Sequence, residues 1–268
     1  QAAGRSENQN LLNLDEVKSG LRKISQIDSY EYVDTALKWT SATVAQSQST
    51  LNSPRERTLL TMFHFSMWGD KATGQTLQES IKKLQSSGDL FNEVLDVLNL
   101  IHQRLKLDED PTKPTFDFPL ELHKAYNRRE ILVALGHSNL DKTPPQREGV
   151  LYLSERKTDV FFVTFNKNEL FHESVRYDDY AINEKLFHWQ SQNQTSQKSL
   201  TGQRYINQRA NGSRILLFAR EHSKVIGASQ NFIFFGPMNY ISHDGENPIS
   251  FNWELEHAMP KSILPNYQ

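Results

Sequence analysis

The sequence predicts an α+β protein in two parts: an N-terminal α-helical bundle over residues 1–120, then a domain over 121–268 built on a curved mixed β-sheet or pseudo-barrel. Three observations carry that expectation. As far as Leu107, apolar residues recur at helical spacing. Beyond Leu135 they gather in short runs rich in Val, Ile and aromatics, separated by Gly, Pro, Asn and Ser. About two thirds of the aromatic residues also lie after residue 120.

The elements follow in order. Leu14, Val17, Leu21 and Ile24 form one apolar helical face. Ser53-Pro54-Arg55-Glu56 reads as a capping box with proline at the first helical position. Thr76-Leu77-Gln78-Glu79 repeats the device ahead of Ile81 and Leu84, with Gly88 expected to close that helix. A further helix is marked by Leu90, Val94, Leu98, Ile101 and Leu105. Lys106–Pro119, charged and carrying prolines at 111, 114 and 119, reads as a linker or long loop. One more helix is expected over Glu121–Leu135, ended by Gly136. Strands are expected at Val150–Leu153, Val160–Phe165, Ile215–Ala219, Phe232–Phe235 and Ile249–Leu255. No long helices alternate with them, which argues against a Rossmann-like domain.

Composition narrows the chemistry. With 268 residues, 37% hydrophobic and 23% charged, the chain can build a packed core. It has no cysteine, so disulfide scaffolds, Cys-ligated zinc, iron–sulfur clusters and thiol nucleophiles are excluded. Absence of cysteine and of a leader fits a reducing cytoplasm. The apolar run Ile215–Ala219 is far too short to span a bilayer, so no membrane partner is expected. Starting at Gln1, the chain reads as a piece of a longer protein. It contains no P-loop, dinucleotide fingerprint, nucleophile elbow or His-Glu-x-x-His motif, and neither a metal nor a cofactor is expected in this span. Asp178, Asp179 and Glu184 with Lys185 form a weak nuclease-like cluster that lacks the strand-borne spacing such sites use.

The net charge of −2 conceals a local asymmetry. From Lys185 to Arg220 there is no Asp or Glu, but there are Lys185, Lys198, Arg204, Arg209, Arg214 and Arg220. The middle, Gln190–Gln208, is almost all Gln, Asn, Ser and Thr, and is expected to be a long surface loop. Long side-chain amides suit base edges, whereas Arg and Lys suit phosphates. Just ahead stand Tyr177-Asp178-Asp179-Tyr180 and Phe187-His188-Trp189-Gln190. Aromatic rings beside a carboxylate are the ingredients of a pocket for an extruded base. Each ring taken singly is more often a core residue. The candidate base-binding set is therefore Tyr177, Asp178, Asp179, Tyr180, Trp189, Gln190, Gln192 and Gln203. Tyr177, Tyr180 and Trp189 would wall the pocket, and Asp178 or Asp179 would accept from the cytosine N4 amine. Lys198, Arg204, Tyr205 and Arg209 are the candidate phosphate ligands.

Several blocks carry a resemblance. They include Arg129-Glu130-Ile131-Leu132, Arg147-Glu148-Gly149-Val150, Asp159-Val160-Phe161-Phe162-Val163-Thr164, Leu186-Phe187-His188-Trp189-Gln190-Ser191-Gln192 and Ser199-Leu200-Thr201-Gly202-Gln203-Arg204-Tyr205-Ile206. Between about Tyr126 and Pro260 the chain resembles a C-terminal domain, long of unknown function, found in bacterial proteins that fuse a phospholipase-D-type nuclease to a DEAD-box helicase. That resemblance implies a type IV, modification-dependent restriction enzyme of the SauUSI kind, acting on DNA with 5-methylcytosine or 5-hydroxymethylcytosine. It implies that this span is the SRA-like, base-flipping target-recognition part, which binds and does not cut. ATP and Mg would belong to the upstream helicase and nuclease domains of a homodimeric parent. The rival expectation is a helicase-associated interaction or dimerisation module with non-specific DNA contact.

Overall fold

The computed structural model describes residues 14–42, 53–107, 114–166, 179–225 and 228–264. These residues form two compact units, which the chain leaves and re-enters. One takes residues 1–111, 117–119 and 129–144; the other takes 112–116, 120–128 and 145–268.

The first unit is helical: α1 (Leu14–Ile24), α2 (Tyr30–Ser41), α3 (Pro54–Trp68), α4 (Leu77–Gln85) and α5 (Asp89–Lys106). Both sequence caps form. Ser53 accepts from the Glu56 N–H with Pro54 at the start of α3, and Thr76 and Glu79 make a reciprocal capping box. Every residue of α3 from Leu59 to Trp68 is buried, so this helix runs through the middle of the bundle rather than along its surface. The helix α4 ends at Gln85, and Gly88 instead sits at positive φ just ahead of α5. The expected helix over Glu121–Leu135 is confined to α6 (Arg128–Ala134). Its first residues are drawn into sheet pairing: Ala125–Tyr126 (β1) pairs with Ile233 and Phe232, and the His123 N–H donates to the Phe234 carbonyl. Gly136, at φ 79, does terminate α6. Within the helical unit, buried Glu130 of α6 accepts from the Tyr32 and Ser66 hydroxyls at 3.1 and 2.7 Å.

Among the described residues, the second unit forms a mixed sheet of eight strands. Its long members are β2 (Val150–Leu153), β3 (Thr158–Asn166), β5 (Leu186–Gln190), β6 (Arg214–His222), β9 (Phe232–Asp244) and β10 (Ser250–Leu255). The pair β4 (Tyr180–Ala181) closes one end, and β7 (Lys224–Val225) with β8 (Ala228–Ser229) forms a separate ribbon. The order is β2-β3-β6-β9-β10-β5-β4, with β1 alongside β9, and β3–β6 is parallel while the other pairs are antiparallel. Register shifts at Leu217/Phe218 and Asn252/Trp253 mark irregularities that bend strands.

Ring geometry shows how far the sheet curls. Strands β3 and β5 are four positions apart, which in a flat sheet would separate them by about 19 Å. Yet Phe161 of β3 stacks on Trp189 of β5 with centroids 4.1 Å apart. The sheet therefore wraps round a core of Phe161, Trp189, Tyr205, Phe251 and Trp253, while the order given above leaves β2 and β4 as its two ends. The architecture is α+β, helices followed by a curved mixed sheet.

The polar run is the main departure from the sequence expectation. It is not a long surface loop. Leu186–Gln190 is strand β5, and Leu200–Ile206 is helix α7, with Ser199 as its N-cap. Ser191 is buried, and its hydroxyl accepts from the Ile249 N–H. Gln208 is buried too: its amide donates to the Ser213 carbonyl and its oxygen accepts from the Tyr240 N–H. Gly202 lies so close to the Ser196 carbonyl that a Cβ would meet its oxygen at 2.1 Å. Side-chain amides and hydroxyls here satisfy backbone groups, which is how a polar segment can be buried.

Candidate nucleic-acid interface

The second unit contains a cavity of about 470 Å³, within the range of small-ligand sites. Strand ends and short connections build it. Gly149 and Val150 come from the start of β2, Phe162–Thr164 from β3, Trp189 and Gln190 from the end of β5, and Arg220 from β6. Asp179, Gln192, Arg128, Arg147, Glu148 and Ser223 complete the polar part of the lining. Asp179 is held by the Gln190 N–H, which donates to its Oδ1 at 3.0 Å. Trp189 is 5% exposed, with one side stacked on Phe161 and an edge reaching the cavity.

Four sequence candidates thus meet in one place: Asp179, Trp189, Gln190 and Gln192. Others do not. Tyr180 is exposed and stacks on His188 at 4.8 Å, away from the cavity lining. Gln203 lies on α7, donating to the Gln197 carbonyl and accepting from Asn207. Tyr177 and Asp178 lie outside the described residues.

Two of the four expected phosphate ligands, Tyr205 and Arg204, need correction. Tyr205 is 2% exposed and packed edge-on against Phe161 and Trp189, so it belongs to the core and reaches no phosphate. Burial pushes its hydroxyl pKa far up. Arg204 is committed to Asp159, which it meets through Nε at 2.7 Å and a terminal nitrogen at 2.8 Å, and its guanidinium lies 3.8 Å from the Tyr152 ring centre. Burial pushes the Asp159 carboxyl up, against the pull of Arg204. For Arg204, burial works downward, but the Asp159 hydrogen bonds and charge outweigh it and leave the guanidinium raised. Arg209 is exposed, 3.5 Å from Glu254, and Lys198 is exposed. None of these four lines the cavity. Among the described residues, no group of three or more His, Asp or Glu is placed to hold a metal, and no helix is long and apolar enough to cross a membrane.

The cavity's basic residues are ones the charge pattern passed over. Arg128 and Arg147 lie outside the acid-free run, and Arg220 entered only as its last residue. A usable signal existed for Arg220: it directly follows five buried apolar residues, Ile215–Ala219, so its position at the end of a core strand was legible.

Among curated proteins, no match is found. Among solved structures, the chain is similar to Arabidopsis thaliana SUVH6 in complex with SAM, at 12% identity and a TM-score of 0.35. That match covers 92% of this chain and 40% of the SUVH6 chain, and the likeness is too slight to carry an argument. Residues 120–266, more than half of the chain and nearly all of its sheet unit, match a family model described as a domain of unknown function. The chain belongs to that family, DUF3427.

Proposed function

We propose that the sheet unit reads modified cytosine in duplex DNA, taking the base out of the stack and into the cavity. The observation that carries this reading is the composition of one cavity. Two carboxylates (Asp179 and, beside the arginines, Glu148), two amides (Gln190, Gln192), an apolar wall (Val150, Phe162, Val163, Trp189) and three arginines (Arg128, Arg147, Arg220) line it together. An Asp accepts from an exocyclic amine, amides serve the remaining base edge, and an apolar wall takes a 5-methyl group. Arginines suit the backbone that follows the base. In the longer protein implied by the sequence resemblance, this unit would be the DNA-binding target-recognition part of an ATP-dependent, modification-dependent restriction endonuclease in a cytoplasmic restriction system acting in phage defence. The cutting and the ATP chemistry would lie in other domains.

Binding of the chain to matched duplexes, modified and unmodified at one cytosine, tests the reading. A methyl group seated in an apolar wall is worth about 1–3 kcal/mol, so a preference of about 10- to 200-fold for the modified duplex is expected. Equal affinity for the two duplexes points instead to an interaction module with non-specific DNA contact. Metal-dependent cutting by this chain alone would assign a nuclease role to Asp178, Asp179 and Glu184.

A further inference from the structure

The cavity's arginines carry an inference that deepens the proposed reading, and rests on it for the identity of the bound base. Arg128 and Arg220 are half-buried. Arg128 lies 4.1 Å from the Phe162 ring centre and 5.2 Å from that of Phe232; Arg220 lies 4.3 Å from the same Phe232 ring. Their N–H groups meet neutral acceptors: the Glu148 carbonyl for Arg128, and the Thr164 hydroxyl and Gln230 carbonyl for Arg220. Neither makes a salt bridge with a carboxylate among the described residues, and Glu148 acts on Arg128 only at longer range.

Two like charges that share one aromatic ring, partly out of water and with no carboxylate in direct contact, are an unfavourable arrangement for a resting fold. The contrast with Arg204, matched bidentately by Asp159, lies within the same unit. Burial and then the neighbouring Arg220 charge push Arg128 down to about 10, and burial also lowers Arg220. The cavity's two carboxylates, Asp179 and Glu148, form no salt bridge with either guanidinium, so each keeps N–H groups that an incoming anion can take. Arginine's planar fork fits phosphate oxygens, and stacking on Phe162 and Phe232 fixes the direction of each fork.

We propose that Arg128 and Arg220 grip the phosphodiester backbone beside the nucleotide whose base occupies the cavity, with exposed Arg147 at the lip. The labour then divides. Asp179, Gln190 and Gln192 read the base, while the arginines hold the backbone and carry no sequence information.

The test titrates the full chain with modified and unmodified duplexes over a range of salt concentrations. Arg128→Gln combined with Arg220→Gln is expected to flatten the dependence of log affinity on log salt by about 0.9 for each phosphate released, on both duplexes. Lysine at both positions restores charge and is expected to restore the slope. On the wild-type chain, neutral methylphosphonate linkages beside the modified base report the same contact without any variant, and should flatten the slope by a similar amount. An unchanged slope in the folded glutamine variant, or with the neutral linkages, overturns the clamp. A flattened slope that lysine fails to restore also overturns it. If the wild-type chain binds both duplexes equally but the glutamine variant still flattens the slope, the clamp stands and the modified-base reading falls.

Discussion

Trp189→Ala is expected to destabilise the sheet unit by about 3–5 kcal/mol, the range for removing a buried aromatic side chain. The ring is 5% exposed and touches three others: it stacks on Phe161 at 4.1 Å, meets Tyr205 edge-on at 5.6 Å and lies 5.9 Å from Phe251, while Phe161 itself reaches Trp253. Through the Phe161 contact it also ties β5 to β3 across the inside of the curl, so its loss should loosen the curvature that forms the cavity. Chemical unfolding checks this. A cost under about 1 kcal/mol would show that Trp189 is a cavity wall without a core role. Trp189→Phe keeps a ring in the stack and should lose less stability. It is therefore the variant with which to ask about the base, since lost binding in Trp189→Ala would report lost architecture as well.

Asp159→Ala should cost a similar amount, about 3–5 kcal/mol, because it leaves the Arg204 guanidinium without its partner in a largely buried place. The Asp159 side chain is 1% exposed and that of Arg204 19%, and the two oxygens and two nitrogens meet in parallel. The pair joins the start of β3 to α7, so it holds the polar segment against the sheet. Replacing both residues, with Asp159→Ala and Arg204→Met, should recover most of the loss, since removing a buried pair together avoids the stranded charge. Unfolding curves for the single and double variants decide it; a double variant as unstable as the single one would contradict a coupled pair. Arg204 should also leave the salt dependence of DNA binding unchanged, unlike Arg128 and Arg220.

Which parts of this molecule are legible in the sequence follows from how local the signal is. The caps at Ser53 and Thr76 are local, and they form. Strand β2 has the bounds its Val-Leu-Tyr-Leu run suggests, and Ile215–Ala219 is the buried centre of β6. Where pairing partners are distant, the reading fails. Ala125 and Tyr126 lie in a helical pattern, but their partners are Ile233 and Phe232, more than a hundred residues away. The acid-free polar run shows the same limit. Its amides and hydroxyls look solvent-directed in sequence, yet Ser191 and Gln208 are buried on backbone groups at Ile249, Ser213 and Tyr240. Part of the site was legible because Asp179, Trp189, Gln190 and Gln192 lie close together in the chain and stay together in space. The arginines were not, because positions 128, 147 and 220 come together only through the pairing of strands far apart in the chain. A run of charge was the visible feature, and most of its cations turned out to be paired or scattered.

The cavity is proposed to take a base out of the duplex, and stacking is the quantity to measure. A fluorescent adenine analogue placed beside the modified cytosine is quenched while the helix is stacked. Saturating the duplex with the full chain should raise its emission several-fold when the cytosine is modified, and Asp179→Ala should reduce that rise. Tight, modification-preferring binding that leaves the emission at its duplex level would contradict base extrusion and place the recognition in a groove.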